Sequence, residues 1–585
     1  MFLKRFLGYL LFVFVLFLAS MHVAFASNCT GLKVVYPSNN SMIGARSTFF
    51  IGSVNPRSKL SINSHRVRIA SNGSFVKVVP LKPGVNKLLL KAEMNGHVDS
   101  LAYTLNAPTL KLAFPAKPLK IDSSSITPKG QTVYREGDVI VVKFKGSPSA
   151  KAYFNFGDNA NIPMRELPYK EAGIRGMYQG SYVIKSQDVS DHVNLSVVLK
   201  SGDSVITHVS GANIKVISKN QIVVGVVKTD NAPVRVVPGG DRLTPLPKDV
   251  KISIVAASAG YYKFKLSDSI SAWIKASDVG LLSGLAQEPY AEVYDVQTYE
   301  DADNSYIKIP MSEKLPLSVQ EVNNALVVDI FGAKLKSVLT PSVSGFLKEV
   351  QVSQTPDNAL NVRAVVNASQ VWGYSYCYCG NDLIIKLRKK PDFDCENPLK
   401  GQIIAIDPGH GGSETGAVGP TGVPEKTINL AISMFLKEEL EKDGAKVVMT
   451  RTNDDENPGL YERSEIARKN NALILISVHN NALPDGQDPY KTHGTSVYYY
   501  QPHSYLLAKS IDAALVNDLG LKDLGALHGS LALTRPTEPI SVLAEVAFMI
   551  HPDEYAKLLT PEFQKSSAIS IKRGLVEFLK NSSSQ

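Results

Sequence analysis

The pattern of apolar residues changes at residue 401, and this change limits what the chain can fold into. Over residues 30–390, apolar and polar residues alternate in short runs separated by turn residues, which is typical of antiparallel β structure. From residue 401, continuous apolar runs alternate with segments of helical periodicity, which favours a mostly parallel sheet covered by helices. One core cannot serve both patterns in 585 residues. The predicted fold class is multidomain, with all-β N-terminal modules followed by a C-terminal α/β domain.

Two β-sandwich modules are predicted in the first part of the chain. Residues 30–108 contain runs such as STFFIGSV and VNKLLLKAEMN at strand-like spacing. The segment from Gly73 to Asn86 resembles the Ig-like modules of bacterial surface proteins. Residues 109–219 continue with runs such as DVIVVKFKG and VNLSVVLKS, which predict a second Ig-like sandwich.

Two smaller β modules are predicted next. Residues 220–283 resemble a bacterial SH3-like barrel in the segments APVR, LTPLP, YYKFKL and AWI, and such barrels commonly bind cell-wall peptides. We interpret Trp273, within AWI, as a core residue rather than a platform for a ligand. Residues 288–390 resemble the AMIN domain in ALVVDIFGA and VRAVVN. That domain occurs beside peptidoglycan amidases and directs them to the wall or the septum. The charged segment 391–400 is predicted to be a linker.

Residues 401–582 are predicted to form one α/β domain. Its strand-like runs are QIIAID, AKVVMTR, ALILISVH, GTSVYYYQ and SVLAEVAF. Periodicity predicts helices over Glu425–Lys442, Tyr461–Asn470, Ser504–Leu519 and Glu562–Leu579. The first helix is expected to turn Ile428, Ala431, Phe435 and Leu440 inward and to stop at Gly444.

The first 26 residues are predicted to be a cleaved signal peptide. Lys4 and Arg5 precede an apolar stretch from Phe6 to Ala19, and the letters AFA supply a small-x-small cleavage pattern. The alternative is an uncleaved anchor, because the stretch up to Ala26 is long enough to span a bilayer. Either way, the protein is expected to be exported, to the periplasm or the cell wall.

The chain has four cysteines, Cys29, Cys377, Cys379 and Cys395. Cys29 directly follows the predicted signal and hints at lipid attachment, although Asn28 before it fits poorly. Cys377 and Cys379 share one face if their segment is extended, and one of them could bridge to Cys395 outside the cytoplasm. A Cys-x-Cys metal site is less favoured, because no histidine is near in sequence.

The net charge of +9 is unevenly distributed. Residues 398–585 contain 18 lysines and arginines against 23 acidic residues, and the remainder contains 45 against 31. We expect the basic front part to hold an anionic wall polymer or a lipid surface, with a scattered solvated surface as the alternative. Nucleic acid is not expected as a partner, because no aromatic-basic motif of a known reader is present.

Four residues of the last domain form a candidate site. His410 follows the strand IAID, and His479 closes the run LILISVH. Ligands bind off the carboxyl ends of parallel strands, so both imidazoles should meet at one edge. Glu425 begins a helix, where an acid is also favoured by the helix dipole alone. Glu545 lies within SVLAEVAFMI, where a carboxylate is costly without a partner. Two imidazoles and a carboxylate are a common catalytic zinc set, and a second carboxylate supplies proton transfer.

Six segments together resemble the zinc-dependent N-acetylmuramoyl-L-alanine amidases. They are DPGHGG, GVPEKTINLAISMFLKEEL, VVMTRTND, LYERSEIARKNNA, LISVHNNA and VLAEVAF. The resemblance spans residues 401–580 in the right order. It implies that His410, Glu425 and His479 hold one Zn²⁺ ion and that Glu545 is the catalytic carboxylate.

The departures from the family pattern are small. The family usually has Ala-Asn after its second histidine, where this chain has Asn480 and Asn481. Ala547 replaces a usual glycine near the catalytic glutamate, and family members usually have an asparagine near His551. We keep Asn481 as a candidate substrate-binding residue.

Other polar residues of the domain are interpreted as supporting ones. Arg451, Arg463 and the acidic stretch Asp454–Glu456 are expected to form structural ion pairs rather than to contact substrate. Four further histidines are expected at the surface or in supporting roles, although His528 and Arg535 could line the groove. They are His493, His503, His528 and His551.

The predicted function is zinc-dependent hydrolysis of the amide between the lactyl group of N-acetylmuramic acid and L-alanine of the stem peptide. The front modules are expected to bind peptidoglycan. The alternatives are a wall-binding scaffold with an inactive domain, or a zinc peptidase acting on another wall bond. Some relatives insert an autoinhibitory helix after the second histidine, and the 14 residues between His479 and Gly494 are too few for it. An open groove is therefore expected, while an activator protein and a role in cell division are left undetermined.

Overall fold

The computed structural model describes most of the chain, in the ranges 30–107, 113–282, 287–339, 341–343 and 345–583. The predicted signal peptide and Cys29 lie outside the described residues. Within the described ranges, no helix combines the length and the apolar character needed to cross a bilayer.

Residues 30–107 form two antiparallel sheets around one core, which we call the first sandwich. Its strands are β1 (Lys33–Tyr36), β2 (Ser47–Ser53), β3 (Lys59–Ile62), β4 (His65–Val67), β5 (Ser74–Pro80), β6 (Gly84–Met94) and β7 (His97–Ala107). One sheet has the order β1-β2-β5 and the other β4-β3-β6-β7. Phe50, Phe75 and Leu90 are among the fully buried residues between them. Its kinship with Ig-like modules stays a prediction.

Residues 113–282 are also β-rich. Their strands are β8 (Ile121–Thr127), β9 (Gln131–Arg135), β10 (Val139–Gly146), β11 (Lys151–Phe156), β12 (Asn159–Glu166), β13 (Met177–Val183), β14 (Ser190–Val193), β15 (Leu195–Ser201), β16 (Ser204–Val209), β17 (Asn213–Ile217), β18 (Val224–Val227), β19 (Val234–Arg235), β20 (Lys251–Ser258), β21 (Tyr261–Lys265), β22 (Ser271–Lys275) and β23 (Val279–Leu282). The short helices are α1 (Tyr169–Ala172) and two 3₁₀ turns, Ser186–Asp188 and Ala276–Asp278.

The second and third predicted modules share a sheet. Strand β9 pairs in parallel with β17 and meets β20 through Val133 and Ala257. The Arg135 guanidinium donates to the carbonyls of Lys219 and Ile254 at 2.6 and 3.2 Å, which ties the junction together. The two predicted modules are therefore joined by one sheet, although the chain itself crosses between them through turn and coil at residues 218–223.

The expectation that Trp273 is a core residue is wrong. Its neighbours Ala272 and Ile274 are fully buried and face the core of this module, where Phe264 is the buried aromatic. Side chains alternate along a strand, so Trp273 points to the other face and remains partly exposed.

Residues 287–390 contain two four-stranded antiparallel sheets on one core. The strands are β24 (Ala291–Val293), β25 (Gln297–Glu300), β26 (Asn304–Ile309), β27 (Leu317–Val322), β28 (Ala325–Phe331), β29 (Ala333–Leu335), β30 (Leu347–Gln354), β31 (Ala359–Val366), β32 (Tyr374–Cys379) and β33 (Asp382–Arg388). The sheets have the orders β25-β26-β33-β32 and β27-β28-β31-β30, and β24 pairs with β29. The relation to the AMIN domain stays a prediction.

The three described cysteines do not form disulfides with one another. Cys377 and Cys379 are exposed on β32, and Cys395 is exposed in the segment that follows β33. All three are free thiols. The suggested bridge to Cys395 is therefore not realised in the structure.

The last domain has a mostly parallel sheet flanked by helices, as predicted, and the sheet has six strands. Its strands are β34 (Ile403–Pro408), β35 (Lys446–Met449), β36 (Ile474–Asn481), β37 (Thr495–Tyr499), β38 (Asp523–His528) and β39 (Ile540–Phe548). Its helices are α2 (Glu425–Lys442), α3 (Glu462–Lys469), α4 (Tyr505–Leu519), α5 (Pro552–Leu558), α6 (Pro561–Ser583) and the 3₁₀ turn Pro502–Ser504. The sheet order is β35-β34-β36-β39-β37-β38, and all pairs are parallel except β37 with β39.

Helix α2 has the predicted bounds, but its buried stripe is rotated. Ile428 and Leu440 are buried as expected, whereas Ala431 and Phe435 are only partly buried. The buried stripe instead includes Glu425, Asn429, Ile432, Ser433 and Leu436. Two of its polar members, Glu425 and Asn429, are hydrogen-bonded to each other.

Two elements of the last domain were not predicted. Strand β38 contains Gly525 and alternates weakly, and helix α5 has only 7 residues. Both depend on tertiary partners: β38 pairs with β37, and α5 packs against β39 and against β5 of the first sandwich. The segment 391–400, predicted to be a linker, places Leu399 in the domain core.

The first sandwich docks on the last domain through the sheet β1-β2-β5. Phe49, Ile51 and Val76 form an apolar cluster with Phe548, the last residue of strand β39, and with Ile550 just after it. The run Phe49-Phe50-Ile51 is buried throughout rather than alternating. Such a run marks a strand that is covered on both faces, and it was the sequence signal for this docking.

Polar contacts complete the docking. Asp485 accepts hydrogen bonds from the hydroxyls of Tyr36 and Thr48 at 2.6 and 2.7 Å. Arg68 donates two hydrogen bonds to Asp553 at 2.9 and 3.0 Å. Burial and the Asp485 carboxylate raise the pKa of Tyr36 to about 12. The contacted segments directly follow β36 and β39.

We predict that Asp485→Ala weakens the docking. The substitution leaves two hydroxyls at the interface without their acceptor, which should destabilise the protein by about 2 kcal/mol. Thermal unfolding of the full chain measures the effect. Asp488→Ala is the control, since among the described residues the Asp488 carboxylate accepts only from the Tyr490 amide in its own turn. Equal midpoints for the two variants would contradict the prediction.

A second prediction concerns pH and stability. Burial, followed by the neighbouring Asp523 carboxylate, raises the pKa of Asp512 from 3.8 to about 7. The folded state therefore holds the proton of Asp512 more tightly than the unfolded state does. The contribution of this protonated carboxyl to the free energy of unfolding is complete below about pH 4 and is lost as the pH rises through about 7.

Asp512→Asn should consequently stabilise the protein, by about 2–4 kcal/mol above about pH 7 and by progressively less toward about pH 5. Thermal unfolding across this range measures the gain. Asp518→Asn on the same helix removes an ion pair to Arg573 instead. It should give no stabilisation that increases with pH. A gain for Asp512→Asn that does not depend on pH would refute the assignment.

Candidate metal centre

Two imidazoles and one carboxylate converge at the carboxyl edge of the sheet. His410 Nε2 lies 3.2 Å from one oxygen of Glu425, and His479 Nδ1 lies 3.1 Å from the other. One potential ligand atom from each residue lies within 4.8 Å of the others. The two rings are 4.9 Å apart at 77°. An ion lies in the plane of each imidazole that binds it, and planes crossing at this angle can share one ion.

A strained turn presents His410. Its φ of 60° is uncommon for a residue other than glycine. The Arg463 guanidinium donates to the His410 carbonyl at 2.9 Å and to the Pro408 carbonyl at 3.0 Å. These bonds hold the turn in a conformation that costs about 1 kcal/mol or more.

Asp407 anchors the turn from below. Its buried carboxylate accepts hydrogen bonds from Thr450 and Ser477, both at 2.6 Å, and from Arg463 at 2.8 Å. Three donors from different parts of the domain thereby meet Asp407 at the end of strand β34. Removing one member of such a buried charge pair typically costs about 3–5 kcal/mol.

Arg451 supports the same turn. Its fully buried side chain donates to the carbonyls of Pro408, Gly409 and Lys426 at 2.7 to 3.1 Å, and it pairs with Asp454 at 3.3 Å. Arg451 and Arg463 thus bind loop carbonyls and carboxylates behind the ligands. This agrees with the structural role expected for both.

Two glycines allow the ligands to approach the backbone. A Cβ atom at Gly409 would lie 2.2 Å from the His479 ring. At Gly416 it would lie 2.4 Å from a Glu425 oxygen and 2.6 Å from the His410 ring. Any side chain at these two positions would displace a ligand.

Glu425 is held by several donors. Its carboxylate accepts from the amides of Ala417 and Asn480 at 2.9 and 3.1 Å and from the Asn429 side chain at 3.0 Å. Burial by itself would raise the pKa of Glu425, but hydrogen bonds and charge interactions with the two histidines outweigh it and lower the pKa. The carboxylate is therefore ionised and ready to bind a cation.

Asn429 is a site residue that sequence reasoning missed. It lies one turn after Glu425 on α2 and also accepts a hydrogen bond from the Asn480 side chain at 2.8 Å. Spacing of i and i+4 puts two residues on one helix face. A polar residue at that spacing from a candidate ligand was the available signal.

Glu545 lies beside His479. The two residues are opposite each other in the register of β36 and β39, so their side chains share one face of the sheet. Glu545 is partly buried, and its Oε2 atom is buried without a hydrogen-bond partner among the described residues. Burial raises the pKa of Glu545 to about 7. An unsatisfied buried oxygen is costly, which fits a group that faces a bound ion or substrate.

Asn481 lies at the end of β36, partly buried. Its side-chain oxygen accepts from the Ala482 amide at 2.8 Å. Its neighbour Asn480 points behind the ligands instead, toward Asn429. A substrate contact of Asn481 stays a prediction.

A second cluster, His493, His551 and Glu554, has a different geometry. The two rings are stacked 4.2 Å apart at 16°. Nearly parallel rings cannot both direct a lone pair in-plane at one ion. His493 bonds to Glu554 at 2.6 Å, and His551 caps helix α5. Both histidines therefore support the structure, as expected.

The remaining histidines lie away from the ligands. His503 is buried and bonds to Glu321 of the preceding module at 2.6 Å, so it is not a surface residue. His528 is exposed and stacks on Tyr500. In the sheet register, His528 is opposite Tyr499 of β37, whereas Glu545 is opposite Ser496. Three residues of β37 separate these two levels, a distance of about 10 Å along the strand.

The segment after His479 contains no helix. Residues 482–494 run as turns and coil between β36 and β37, in agreement with the expected lack of an autoinhibitory helix. This segment instead receives the first sandwich, where the Gly486 amide donates to the Ser47 carbonyl at 3.1 Å. The side chains of His410 and His479 keep partial exposure of 31% and 17%, so the site is reached from solvent.

Comparison with known proteins places this domain in a family. Residues 404–577 match the family described as N-acetylmuramoyl-L-alanine amidase. The germination-specific N-acetylmuramoyl-L-alanine amidase of Bacillus subtilis is 31% identical over 198 residues, which are 31% of this chain and 81% of that protein. The chain belongs to the N-acetylmuramoyl-L-alanine amidase family.

Further matches cover the same amidase domain. The uncharacterized protein YqiI of Bacillus subtilis is 33% identical over 201 residues, which are 34% of this chain and 94% of that protein. Among solved structures, the N-acetylmuramoyl-L-alanine amidase AmiC2 of Nostoc punctiforme is 31% identical, with a TM-score of 0.29. That match covers 31% of this chain and 98% of the other.

We predict that Gly409→Ala in the amidase domain lowers metal affinity at least 100-fold. The added methyl group collides with the His479 ring and must displace a ligand. Titration of the full chain with Zn²⁺ measures the loss. Gly459→Ala is the matched control, because a Cβ there makes ordinary contacts of 3.6 Å or more. Unchanged affinity in Gly409→Ala would show that His479 is not a ligand.

Proposed function

We propose that this chain is a zinc-dependent N-acetylmuramoyl-L-alanine amidase. Its substrate is the amide that joins the lactyl group of N-acetylmuramic acid to L-alanine of the stem peptide. The observation that carries the proposal is the convergence of His410, Glu425 and His479 beside the unpartnered carboxylate of Glu545. This group lies within the domain that matches the amidase family.

The donor set fits one zinc ion. Two imidazole nitrogens and one carboxylate are a common catalytic set that leaves a coordination position open. His410, Glu425 and His479 would hold the ion, and the outer hydrogen bonds of Glu425 to Asn429 and Asn480 would orient it. When bound, zinc supplies acidification of a water molecule and polarisation of the scissile carbonyl.

Glu545 carries the proton in this proposal. Its free Oε2 is the acceptor for the proton of the attacking water, and the same atom returns that proton to the departing amine of L-alanine. A carboxyl group with a pKa near neutrality can both accept and release a proton. Burial of the Oε2 atom limits competition from bulk water for this proton.

The alternatives differ in what they predict. A wall-binding scaffold with an inactive domain has no reason to retain all four site residues in bonding geometry. A zinc peptidase would use the same centre on another bond. Mass spectrometry of digested peptidoglycan separates the two enzymes, because the amidase releases stem peptides that begin with L-alanine.

The place of action is proposed from sequence and relatives together. Several relatives are named probable cell wall amidases, and the first 26 residues have the pattern of an export signal. We therefore place the enzyme outside the cytoplasm, on peptidoglycan. The all-β modules are proposed to hold the wall near the amidase domain.

We predict that Glu545→Gln abolishes hydrolysis and spares the metal. Glutamine matches the shape of glutamate but cannot accept the proton, so the turnover rate should fall about 10²–10⁴-fold. Zinc content and release of L-alanine-terminated peptides from soluble muropeptides are measured together. Glu562→Gln, at the exposed start of α6, should leave both unchanged. Near-normal turnover in Glu545→Gln would remove this residue from the mechanism.

A further inference from the structure

The first sandwich carries a concentrated positive charge. Residues 30–107 contain ten lysines and arginines against two acidic residues, Glu93 and Asp99. Asp99 is already bonded to Thr30 and His97. This single module accounts for much of the excess positive charge in the front part of the chain.

Several of the cations lie on the sheet that faces away from the amidase domain. Sheet β1-β2-β5 makes the docking contacts, so sheet β4-β3-β6-β7 forms the opposite side of the sandwich. In β6, Leu88, Leu90 and Ala92 fill the core. The alternate residues point outward. We define the outer face by six exposed residues, Met42, Arg66, Val85, Lys87, Leu89 and Lys91.

The register groups these residues by chemistry. Arg66 pairs with Ser61, and Ser61 pairs with Lys91, which makes a basic row across three strands. Val85 pairs with Asn106, which also bridges to Met42. Leu89 and Lys87 stand between the basic row and this apolar end.

Nothing in the described part of the chain neutralises or covers this face. Within the described residues, the first sandwich makes two ion pairs, Arg68 with Asp553 and His97 with Asp99. Neither pair includes a residue of the outer face. Glu93, the one acid that points outward on β6, is opposite Lys59 beyond the basic row.

The apolar members are unusually exposed. The exposed fractions are 68% for Met42, 64% for Val85 and 49% for Leu89. A ligand gives such a face the most favourable binding free energy when it offers anionic groups to the cations and also removes the aliphatic side chains from water. A soluble polyanion would satisfy only the cations.

We propose that the outer face binds the headgroup region of an anionic lipid bilayer. Arg66, Lys87 and Lys91 contact the lipid phosphates, and Met42, Val85 and Leu89 enter the interfacial layer. Because the docking sheet is on the other side, the amidase domain then projects away from the bilayer. This inference is independent of the hydrolytic activity and adds a membrane partner to the enzyme.

The test uses the full chain from residue 27 and sedimentation with vesicles. One set contains phosphatidylcholine and phosphatidylglycerol at about 70:30, and the other contains phosphatidylcholine alone. Inorganic polyphosphate is the soluble polyanion. Tight binding to the anionic vesicles alone is the expected result for the unaltered chain.

Two double variants divide the contributions. Lys87→Glu with Lys91→Glu should weaken binding to anionic vesicles at least 20-fold, since each cation near an anionic surface contributes about five-fold. Val85→Ser with Leu89→Ser should weaken it about 5- to 20-fold without changing any charge. Lys143→Glu with Lys151→Glu, on exposed positions of β10 and β11, makes the same charge change elsewhere and should have little effect.

Three outcomes would overturn the proposal. The first is equal binding to charged and neutral vesicles. The second is an equal loss in the Lys143 and Lys151 control, which would indicate a general charge effect. The third is a serine variant that binds like the unaltered chain while polyphosphate competes fully, which would indicate a soluble polyanion site. Unchanged thermal midpoints and muropeptide hydrolysis in all variants verify that they are folded.

Discussion

The buried ion pair between Asp407 and Arg463 is the interaction on which the metal centre depends. It closes the end of strand β34 just where the chain turns to present His410. Arg463 also holds the carbonyls of Pro408 and His410, so one side chain fixes both the strand end and the ligand. Burying two charges is costly unless their remaining donors and acceptors are satisfied. Thr450 and Ser477 complete that requirement at Asp407.

The centre also depends on the register of parallel strands. Asp407 is level with Ser477 in β34 and β36, and His479 is level with Glu545 in β36 and β39. A shift of one residue would turn Glu545 to the helix-covered face, where Ala544 and Val546 lie in the core. The apolar residues between the site residues therefore set the catalytic geometry as firmly as the ligands themselves.

The first sandwich is part of the same body as the amidase domain. It packs on the segments that leave the metal centre after Asn481 and after Glu545, through an apolar cluster and the bonds to Asp485. The β module of residues 287–390 also packs on the amidase domain, through a buried contact between Glu321 and His503. The sequence predicted a linker at residues 391–400 before the amidase domain. The structure joins the modules by packing instead, because Phe49 and Leu399 have apolar partners in the amidase domain.

By itself, the sequence determined the order of the elements in the amidase domain other than β38 and α5, the bounds of helix α2, and the identity of the four residues that meet at the sheet edge. Those features follow from local periodicity and from side-chain chemistry placed at strand ends. Tertiary structure alone decided the rotated stripe of α2 with Asn429, the outward position of Trp273, and the docking of the first sandwich. Each of these depends on which distant surface covers a residue. Local spacing carries no record of that surface, since it specifies which residues share a face and not what packs against the face.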